Sequence, residues 1–327
     1  QCDVEVSDFV AYMADDKSTD VIMVYFEGNR DADKLMAAFR KARENGKPVV
    51  LLKAGRSETG VKAAVSHTGS MAGSDAAFDG FCRQFDVHRA DTVGELIDIS
   101  VAAAAGKFPS RPRAGLVSIS GGAGALMADY CDELGLAVPP LPKPAQAKLM
   151  KLFPFGSALN PIDPTALWGQ DMSVLSASME TLLKEGGHDT VVLFGSTIGI
   201  NEFNRVRFEE HIIPLRKKYP KPLMVLSLLG APELIQKWRD KGFLIYEDAR
   251  RAIEVTAALA KFAPIVAGSR KFPARPRVPE NLKIKPGRTF NEADAMGALQ
   301  KAGIKFVRRR LATSRKAAQD AAARLGF

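Results

Sequence analysis

The length, composition and charge of the chain exclude several classes of protein. With 327 residues, 46% of them hydrophobic, the chain can hold two domains with buried cores, which argues against disordered and fibrous classes. No run approaches the roughly 18 uninterrupted apolar residues that a membrane span needs, so we expect a soluble protein without a membrane partner. The three cysteines show no CxxC spacing, which favours neither a disulfide framework nor a zinc site and fits a reducing cytoplasm.

The net charge of +9 is unevenly distributed. Residues 261–327 hold 16 Lys and Arg against 4 Asp and Glu, a net charge of +12, which leaves −3 for residues 1–260. A nucleic-acid footprint combines a coherent basic face with aromatic or groove-reading elements, and the basic run 308–310 has few aromatic neighbours. We therefore expect no nucleic-acid partner.

Strand and helix patterns alternate along the first part of the chain. Nearly continuous apolar runs are typical of buried parallel strands, and apolar residues at helical spacing predict the helices between them. The expected elements are a strand at 21–27, a helix at 31–44, a strand at 49–52, a helix at about 74–85, a short strand near Val87 and a helix opened by the capping box Thr92-x-x-Glu95.

The second part repeats this plan. The expected elements are a strand at 115–120, a strand at 190–195, a helix at 203–219, strands at 223–226 and 243–246, and a helix at 248–262. Short links between alternating strands and helices predict parallel sheets covered on both faces. We predict an α/β fold with two flavodoxin-like (Rossmann-like) parallel-sheet domains.

Composition places the domain boundaries. Pro109 and Pro112 break the chain near residue 108, and residues 264–288 have the composition of a linker. The remainder shows a helix from Glu292 to Ala302, a strand-like stretch at 304–307 and a second helix. The expected parts are 1–108, 109–265, a linker at 266–288 and an incomplete domain at 289–327. The start at Gln1 and the end within a helical pattern are expected for a fragment of a longer protein.

The glycine-rich loop 55–75 is the most informative stretch. It leaves a buried strand and enters a helix, and ligands of open parallel sheets gather outside the carboxyl ends of strands. Free amides at a helix N-terminus attract anions, so His67 has donors around it that suit a phosphoryl group. Metal binding would need further His or Cys ligands, which are not nearby. From composition alone, a histidine that caps a helix or bonds to a carbonyl is the stronger alternative.

Glu27 ends a strand whose other residues are apolar. A nucleophilic histidine uses one ring nitrogen to attack, while the other donates to an orienting group, commonly a carboxylate. Glu27 is a candidate for that group. The alternative is an exposed acid at a strand end that pairs with Arg56 or Lys53.

The remaining motifs are weaker. Residues 120–125 form a strand, glycine turn and helix pattern that resembles a phosphate cradle but matches neither GxxxxGK[ST] nor GxGxxG. Residues 160–164, Asn-Pro-Ile-Asp-Pro, predict a rigid turn. The other three histidines have no partners in pattern and are interpreted as surface residues: His88, His188 and His211.

Together, these motifs resemble NDP-forming acyl-CoA synthetases, which are relatives of succinyl-CoA ligase. The resemblance covers residues 1 to about 265 and is carried by the stretches 25–28 (Tyr-Phe-Glu-Gly), 47–57, 66–75 (Ser-His-Thr-Gly-Ser-Met-Ala-Gly-Ser-Asp), 121–124 (Gly-Gly-Ala-Gly) and 160–163 (Asn-Pro-Ile-Asp). Residues 289–327 resemble the start of the ATP-grasp domain that follows in fused members of the family.

The resemblance implies a ligase that makes acyl-CoA from a carboxylic acid, CoA and ATP, with ADP and phosphate released, through an acyl phosphate and a phosphohistidine. It implies that His67 carries the phosphoryl group and that Glu27 orients it. The residues implied to bind phosphate are Ser66, Thr68, Gly69, Ser70, Gly73, Ser74, Gly121, Gly122, Ala123 and Gly124. The implied partners are a small carboxylic acid, CoA and ATP or ADP with Mg; a homo-oligomer is left open.

Departures from the family pattern set limits on these expectations. The family's N-terminal CoA-binding domain and most of its ATP-grasp domain have no counterpart in the sequence, so the isolated chain is not expected to complete the reaction. The alternative function is a regulatory acyl-CoA-sensing module of a protein lysine acyltransferase, and a weaker one is a non-catalytic interaction protein. The sequence does not identify the acid or distinguish ATP from GTP.

Overall fold

The computed structural model describes residues 3–57, 59–60, 62, 75–268 and 289–326. The chain divides into two units, Gln1–Lys271 and Phe272–Phe327, which are described separately. None of the described helices combines the length and apolar character needed to cross a membrane.

The first sheet has three parallel strands in the order β1-β2-β3. Its elements in chain order are α1 (Val6–Asp15), β1 (Ile22–Phe26), α2 (Ala32–Glu44), β2 (Val49–Lys53), α3 (Asp75–Gln84), β3 (His88–Ala90) and α4 (Val93–Ala104). The central strand β2 is buried along its whole length, as its apolar sequence predicted. Every expected element is present, and α1 is an additional helix that the sequence reading missed.

The predicted capping box at the start of α4 is only half formed. The Thr92 side chain accepts a hydrogen bond from the Glu95 backbone N–H at 3.0 Å, as expected for an N-cap. The Glu95 carboxylate instead accepts from the backbone N–H of Asp91 at 2.7 Å and contacts His88 Nε2 at 2.8 Å. Glu95 therefore ties α4 to strand β3.

The second sheet has four parallel strands in the order β4-β5-β6-β7. Its elements are β4 (Gly115–Ser118), α5 (Gly121–Leu134), α6 (Lys143–Leu152), a 3-10 helix (Thr165–Gly169), α7 (Ser173–Lys184), β5 (Thr190–Gly199), α8 (Glu202–His211), α9 (Ile213–Lys218), β6 (Leu223–Gly230), α10 (Pro232–Asp240), β7 (Leu244–Tyr246) and α11 (Ala249–Val266). The predicted parallel α/β architecture is confirmed.

One predicted helix was wrong in its extent. The helix expected at 203–219 is two helices, because α8 ends at His211 and α9 begins at Ile213 with Pro214 in its first turn. Proline has no N–H and its ring clashes with the carbonyl four residues earlier, so it favours a helix start over a helix interior.

The two sheets share one hydrophobic cluster. It includes Leu52 of β2 and Leu96 of α4 together with Leu116 of β4, Val225 of β6 and Phe262 of α11. A second cluster, around Trp238, belongs to the second sheet and its helices. The division expected near residue 108 stays a prediction, since the strands form two sheets but their cores are continuous.

The smaller unit contains two described helices, α12 (Glu292–Lys301) and α13 (Arg315–Leu325). The side chains of Asn291 and Ser314 cap them by accepting bonds from Asp294 N at 2.8 Å and Ala317 N at 3.1 Å. The strand-like stretch 304–307 is not a strand, because no described strand lies beside it to supply hydrogen-bond partners. The expected start of an ATP-grasp domain therefore stays a prediction.

Candidate functional site

The described residues include only part of the predicted site. Glu27, Gly121, Gly122, Ala123 and Gly124 are described. The other predicted site residues lie outside the described residues: Ser66, His67, Thr68, Gly69, Ser70, Gly73 and Ser74. The predicted contact between Glu27 and His67 therefore also lies outside them.

Glu27 lies at the carboxyl edge of the first sheet. Phe26 pairs in register with Lys53, and the Ala54 backbone N–H donates to the Phe26 carbonyl at 2.9 Å. Glu27 follows directly and is exposed. Glu27 therefore lies next to Ala54, where the chain leaves β2 before the segment that contains His67.

Among the described residues, Glu27 forms no ion pair with Arg56 or Lys53, the two partners that the alternative interpretation named. Within the described residues, Lys53 Nζ donates to the Gly55 carbonyl at 2.9 Å and lies 3.4 Å from Asp75, while Arg56 pairs with Asp91. Glu27 faces neither cation in these contacts. It lines an open cleft of about 650 Å³, together with Glu5, Tyr25, Asn29, Arg30 and Lys34.

The charges of this cleft are largely acidic. Lys34 is neutralised by Asp8, whose carboxylate lies 2.7 Å from its ammonium. Arg30 also lines the cleft and has no ion-pair partner among the described residues. The cleft wall contains the carboxylates of Glu5 and Glu27 as well. The Glu27 carboxylate is thus exposed in a cleft whose other charges are mostly acidic.

An ion network holds the far end of the same loop. Asp75, the first residue of α3, receives a hydrogen bond from the Arg89 guanidinium at 2.5 Å, and Lys53 Nζ lies 3.4 Å from the same oxygen. Arg89 and Lys53 are almost fully buried, with 7% and 6% of their side chains exposed. The hydrogen bond from Arg89 is the main reason that the pKa of Asp75 is lowered.

An aromatic ring completes this network. The Phe78 ring has Lys53 Nζ 5.5 Å and Arg89 Cζ 5.4 Å from its centroid, and it stacks on Phe26 at 5.0 Å. The contacts connect α3 to the carboxyl ends of all three strands. Both ends of the loop that contains His67 therefore lie at the edge of the sheet where Glu27 lies.

The sequence analysis did not identify this network. Lys53 was named only as a possible ion-pair partner of Glu27, and Arg89 was not singled out. A charged residue at the end of a buried strand was the available signal, since such a residue needs a partner when it is not solvated.

The glycine turn at 121–124 is the first turn of α5. Gly121 and Gly122 are exposed, and a Cβ on Gly124 would lie 3.4 Å from Ser118 and 3.5 Å from Pro161, which is ordinary van der Waals contact, so Gly124 is packed but has space for a methyl group. The turn is thus open to solvent at its start and closely packed at Gly124. The predicted phosphate contact of this turn stays a prediction.

The motif at 160–163 does more than form the predicted turn. Ile162 pairs with the edge of β4, accepting from Ser118 N at 2.9 Å and donating to the Leu116 carbonyl at 2.8 Å. This pairing brings Asp163 to α5, where its carboxylate would lie 3.0 Å from a Cβ on Gly121. A negative charge at a helix N-terminus is stabilised by the helix dipole, so Asp163 partly neutralises the potential offered to an anion.

His188 is buried, and its interpretation as a surface residue was wrong. Only 3% of the residue is exposed; Nδ1 lies 3.2 Å from the Leu182 carbonyl and Nε2 lies 3.4 Å from the Asn160 amide. Burial lowers the pKa of His188 and favours its neutral form. The polar residues around His188 in the sequence gave no sign of its burial. Gly186 lies against the imidazole ring, where a Cβ would clash with it.

The described residues offer no cluster suited to a metal ion. Among residues 3–57, 75–268 and 289–326, no group of three or more His, Cys, Asp or Glu side chains is arranged to bind one. No step through Mg is therefore derived from these residues.

The chain is similar to several known proteins. The family described as succinyl-CoA ligase like flavodoxin domain matches residues 1–103. The chain is 31% identical over 265 residues to acetate–CoA ligase (ADP-forming) I subunit alpha of Pyrococcus furiosus, covering 80% of this chain and 57% of the relative. It is 28% identical over 343 residues to acetate–CoA ligase (ADP-forming) I of Archaeoglobus fulgidus, covering 99% of this chain and 47% of the relative.

A solved structure shows the same relationship. The dinucleotide-forming acetyl-coenzyme A synthetase 1 of Ca. Korarchaeum cryptofilum, in complex with phosphate and ADP, superposes with a TM-score of 0.68 and 25% identity, covering 81% of this chain and 57% of that one. The chain thus spans about half the length of the relatives it matches.

Proposed function

Because the chain belongs to the NDP-forming (ADP-forming) acyl-CoA synthetase family, with succinyl-CoA ligase-like domains, we propose that it supplies the phosphoryl-carrying part of an acid–thiol ligase. The observation that supports this role is the position of Glu27 at the carboxyl edge of the first sheet, where both ends of the loop with His67 are held. The flanking residues Lys53 and Asp75 lie at the edge at which open parallel sheets bind their ligands.

The proposed step is a phosphoryl transfer to His67. One ring nitrogen attacks the phosphorus of an acyl phosphate; a P–N bond forms, the P–O bond to the acyl group breaks, and the carboxylate leaves. Glu27 accepts a hydrogen bond from the other ring N–H, which sets the tautomer and stabilises the charge that develops on the ring. Transfer of the phosphoryl group from His67 to ADP then yields ATP, and the reverse sequence activates the acid.

The substrates and cofactors are proposed from the relatives. The Korarchaeum synthetase was solved with phosphate and ADP, and the ligases of Pyrococcus and Archaeoglobus are named for acetate and CoA. We assign a small carboxylic acid, CoA and an adenine nucleotide to the complete reaction. Mg would accompany the nucleotide in the complete reaction.

The regulatory alternative has no support. An acyl-CoA-sensing module of a lysine acyltransferase would show relatives of that class, whereas the relatives reported above are ligases and a synthetase. A sensing module also has no use for a histidine nucleophile.

The test is phosphorylation of the chain by acetyl phosphate, followed by mass spectrometry under conditions that preserve acid-labile phosphohistidine. Label is expected on His67 and is absent in His67→Ala. Glu27→Gln should slow the labelling by roughly 10²–10⁴-fold, the range of a positioned proton-transfer or orienting group, with no loss of folded protein.

Glu44→Gln is the matched control. Glu44 is also an exposed glutamate, but it ends α2 at the opposite edge of the first sheet, so its removal should leave the labelling rate unchanged. Label that persists in His67→Ala, or equal rates in the two glutamine variants, would show that the carrier or its orienting group has been misassigned.

A further inference from the structure

A cavity lies beside β7, the edge strand of the second sheet, between this strand, the first residue of β6 and helix α4. It has a volume of about 320 Å³ and is lined by residues including Val101, Lys107, Leu223, Gly242, Phe243 and Tyr246. We call it the Lys107 cavity. Its volume is at the lower end of the range typical of small-molecule sites, and most of its wall is apolar.

Two cations meet at one end of this cavity. A Cβ built on Gly242 would lie 3.2 Å from Arg216 Nε and 3.3 Å from Lys107 Nζ, so both nitrogens lie within 3.3 Å of the same point. Gly242 has a φ of +90°, a conformation that L side chains rarely adopt, which keeps this space free of a side chain. Arg216 itself is 94% buried, with a relative exposure of 6%.

No carboxylate is recorded as a partner of either cation among the described residues. Asp98, the acid that lines the cavity, is bound by Arg251 through bonds of 2.8 and 2.9 Å. Burial lowers the pKa of Lys107, and the charge of Arg216 lowers it further; burial also lowers the pKa of Arg216. Arg216 is buried and Lys107 is half-buried, and two neighbouring cations that are partly removed from water repel each other unless an anion joins them.

Arg216 is held in place before any ligand arrives. Its Nη1 donates to the carbonyls of Tyr219 at 2.7 Å and Pro222 at 2.9 Å, and its Nη2 donates to the carbonyl of Pro220. Nε makes no hydrogen bond to a described residue and lies 3.2 Å from the Cβ position of Gly242, a residue that lines the cavity. Rigid donors lose little entropy on binding.

From this geometry we propose that the Lys107 cavity binds a small phosphate monoester, whose phosphoryl group lies between Lys107 and Arg216 beside Gly242 and whose apolar body lies against Val101 and Phe243. A phosphoryl group carries a charge of about −1.5 to −2 near pH 7, which matches two cations better than a carboxylate does. Its several oxygens also accept from two donors that converge on one point. Because most of the wall is apolar, a phosphate monoester with an apolar body fits the cavity better than a hydrated inorganic ion does.

This site is separate from the proposed phosphoryl transfer. The loop with His67 follows the carboxyl end of β2, whereas the Lys107 cavity is lined by strand β7 of the second sheet and by helix α4. The ligand is bound and not transformed, because the cavity contains no described nucleophile directed at the phosphoryl position. Its occupancy would stabilise the contact of α9 and β7 through Arg216 and Gly242.

The test is calorimetric titration of the chain with phenyl phosphate and with inorganic phosphate, in parallel with thermal unfolding. Phenyl phosphate should bind more tightly than phosphate, because its ring occupies the apolar wall. Lys107→Met should weaken both by about tenfold or more, which is the loss expected for one charge-assisted hydrogen bond. Lys217→Met is the matched control, since Lys217 is an exposed lysine next to Arg216 in sequence and should leave binding unchanged.

Two further measurements distinguish a binding site from a lysine with a purely structural role. Without ligand, Lys107→Met should raise the melting temperature, because it removes the repulsion from Arg216, and Lys107→Glu should raise it more by forming an ion pair. Neither variant should gain stability when phenyl phosphate is added. His67→Ala should bind phenyl phosphate as the unmodified chain does.

The proposal would be overturned by unchanged binding in Lys107→Met, by a lower melting temperature of that variant without ligand, or by loss of binding in His67→Ala alone. Equal affinities for phenyl phosphate and inorganic phosphate would show that the apolar body of the ligand does not bind to the apolar wall.

Discussion

Substitution of Asp75 by Asn tests whether the ion network positions helix α3 at the carboxyl edge of the first sheet. The change preserves size and removes the negative charge that Lys53 and Arg89 share. Arg89 keeps its pair with Asp79, and Lys53 keeps its hydrogen bond to the Gly55 carbonyl at 2.9 Å. The substitution therefore leaves two buried cations with only part of their compensation.

The expected cost follows from burial. Removal of one partner from a fully buried ion pair costs about 3–5 kcal/mol. The Asp75 side chain is 32% exposed, so water can replace part of the lost interaction, and the remaining partners reduce the cost further. We expect about 1.5–3 kcal/mol of local stability to be lost. Asp79→Asn is the matched control: its side chain is 38% exposed and its ion pair among the described residues is with Arg89, so about 0.5–1 kcal/mol is expected.

The loss should depend on pH with a defined sign. The pKa of Asp75 is lowered in the folded chain, chiefly by the hydrogen bond from Arg89. The carboxylate's contribution is thus complete above the unfolded pKa of about 3.9 and decreases as the pH falls through the lower folded value. The difference between Asp75→Asn and the unmodified chain should be constant from pH 7 to 5 and should shrink below about pH 4.

Hydrogen exchange of the amides of α3 and β3, followed by mass spectrometry, is the appropriate assay because it reports local opening. Asp75→Asn should accelerate exchange there by about 10- to 150-fold at pH 7, the equivalent of the stated loss. Asp75→Glu should recover part of the protection. Equal acceleration in Asp75→Asn and Asp79→Asn, or a difference that persists unchanged at pH 3.5, would refute the proposed role of the network.

Two further predictions concern the rest of the larger unit. Asn160→Ala removes three hydrogen bonds: the Asn160 side chain accepts from Leu116 N at 2.8 Å and donates to the Ala114 carbonyl at 2.9 Å and to the Pro139 carbonyl at 3.0 Å. The free energy of unfolding should fall by about 3–5 kcal/mol in urea titration, whereas a loss below about 1 kcal/mol would show that water replaces these bonds. Burial raises the pKa of Cys82 to about 11 and that of Cys131 to about 12, so iodoacetamide at pH 8 should label both only after unfolding; labelling of either in the native chain would contradict their burial.

The strand and helix order of the first sheet was predictable because each signal is local. The continuous apolar sequence of β2 requires burial on both faces, and Thr92 marks the start of α4 within one residue. Helix α1 was missed because its N-cap is Glu5, which pairs with Asp8 in a box that lacks the usual Ser or Thr. The break between α8 and α9 was missed although Pro214 signalled it.

In the candidate site, too, the features that depend on neighbouring residues were predictable, and the contacts between distant residues were not. Glu27 could be placed at a strand end because a carboxylate after an apolar run is a local pattern, and the comparisons with ADP-forming ligases confirm the family that the motifs indicated. The partners of Asp75 could not be predicted. Arg89 is 14 residues away in sequence and Lys53 is 22 residues away, and no periodicity connects them.

The sequence by itself determined the parallel α/β plan, the position of Glu27 and the family, because apolar periodicity, turn residues and short motifs are properties of neighbouring residues. Only the tertiary structure decided which charges meet: Asp75 with Arg89, Asp163 with the first turn of α5, and Lys107 with Arg216 at Gly242. These contacts depend on how separate strands and helices pack, and the energy of a charge depends on its burial and its partners, which a linear pattern does not contain.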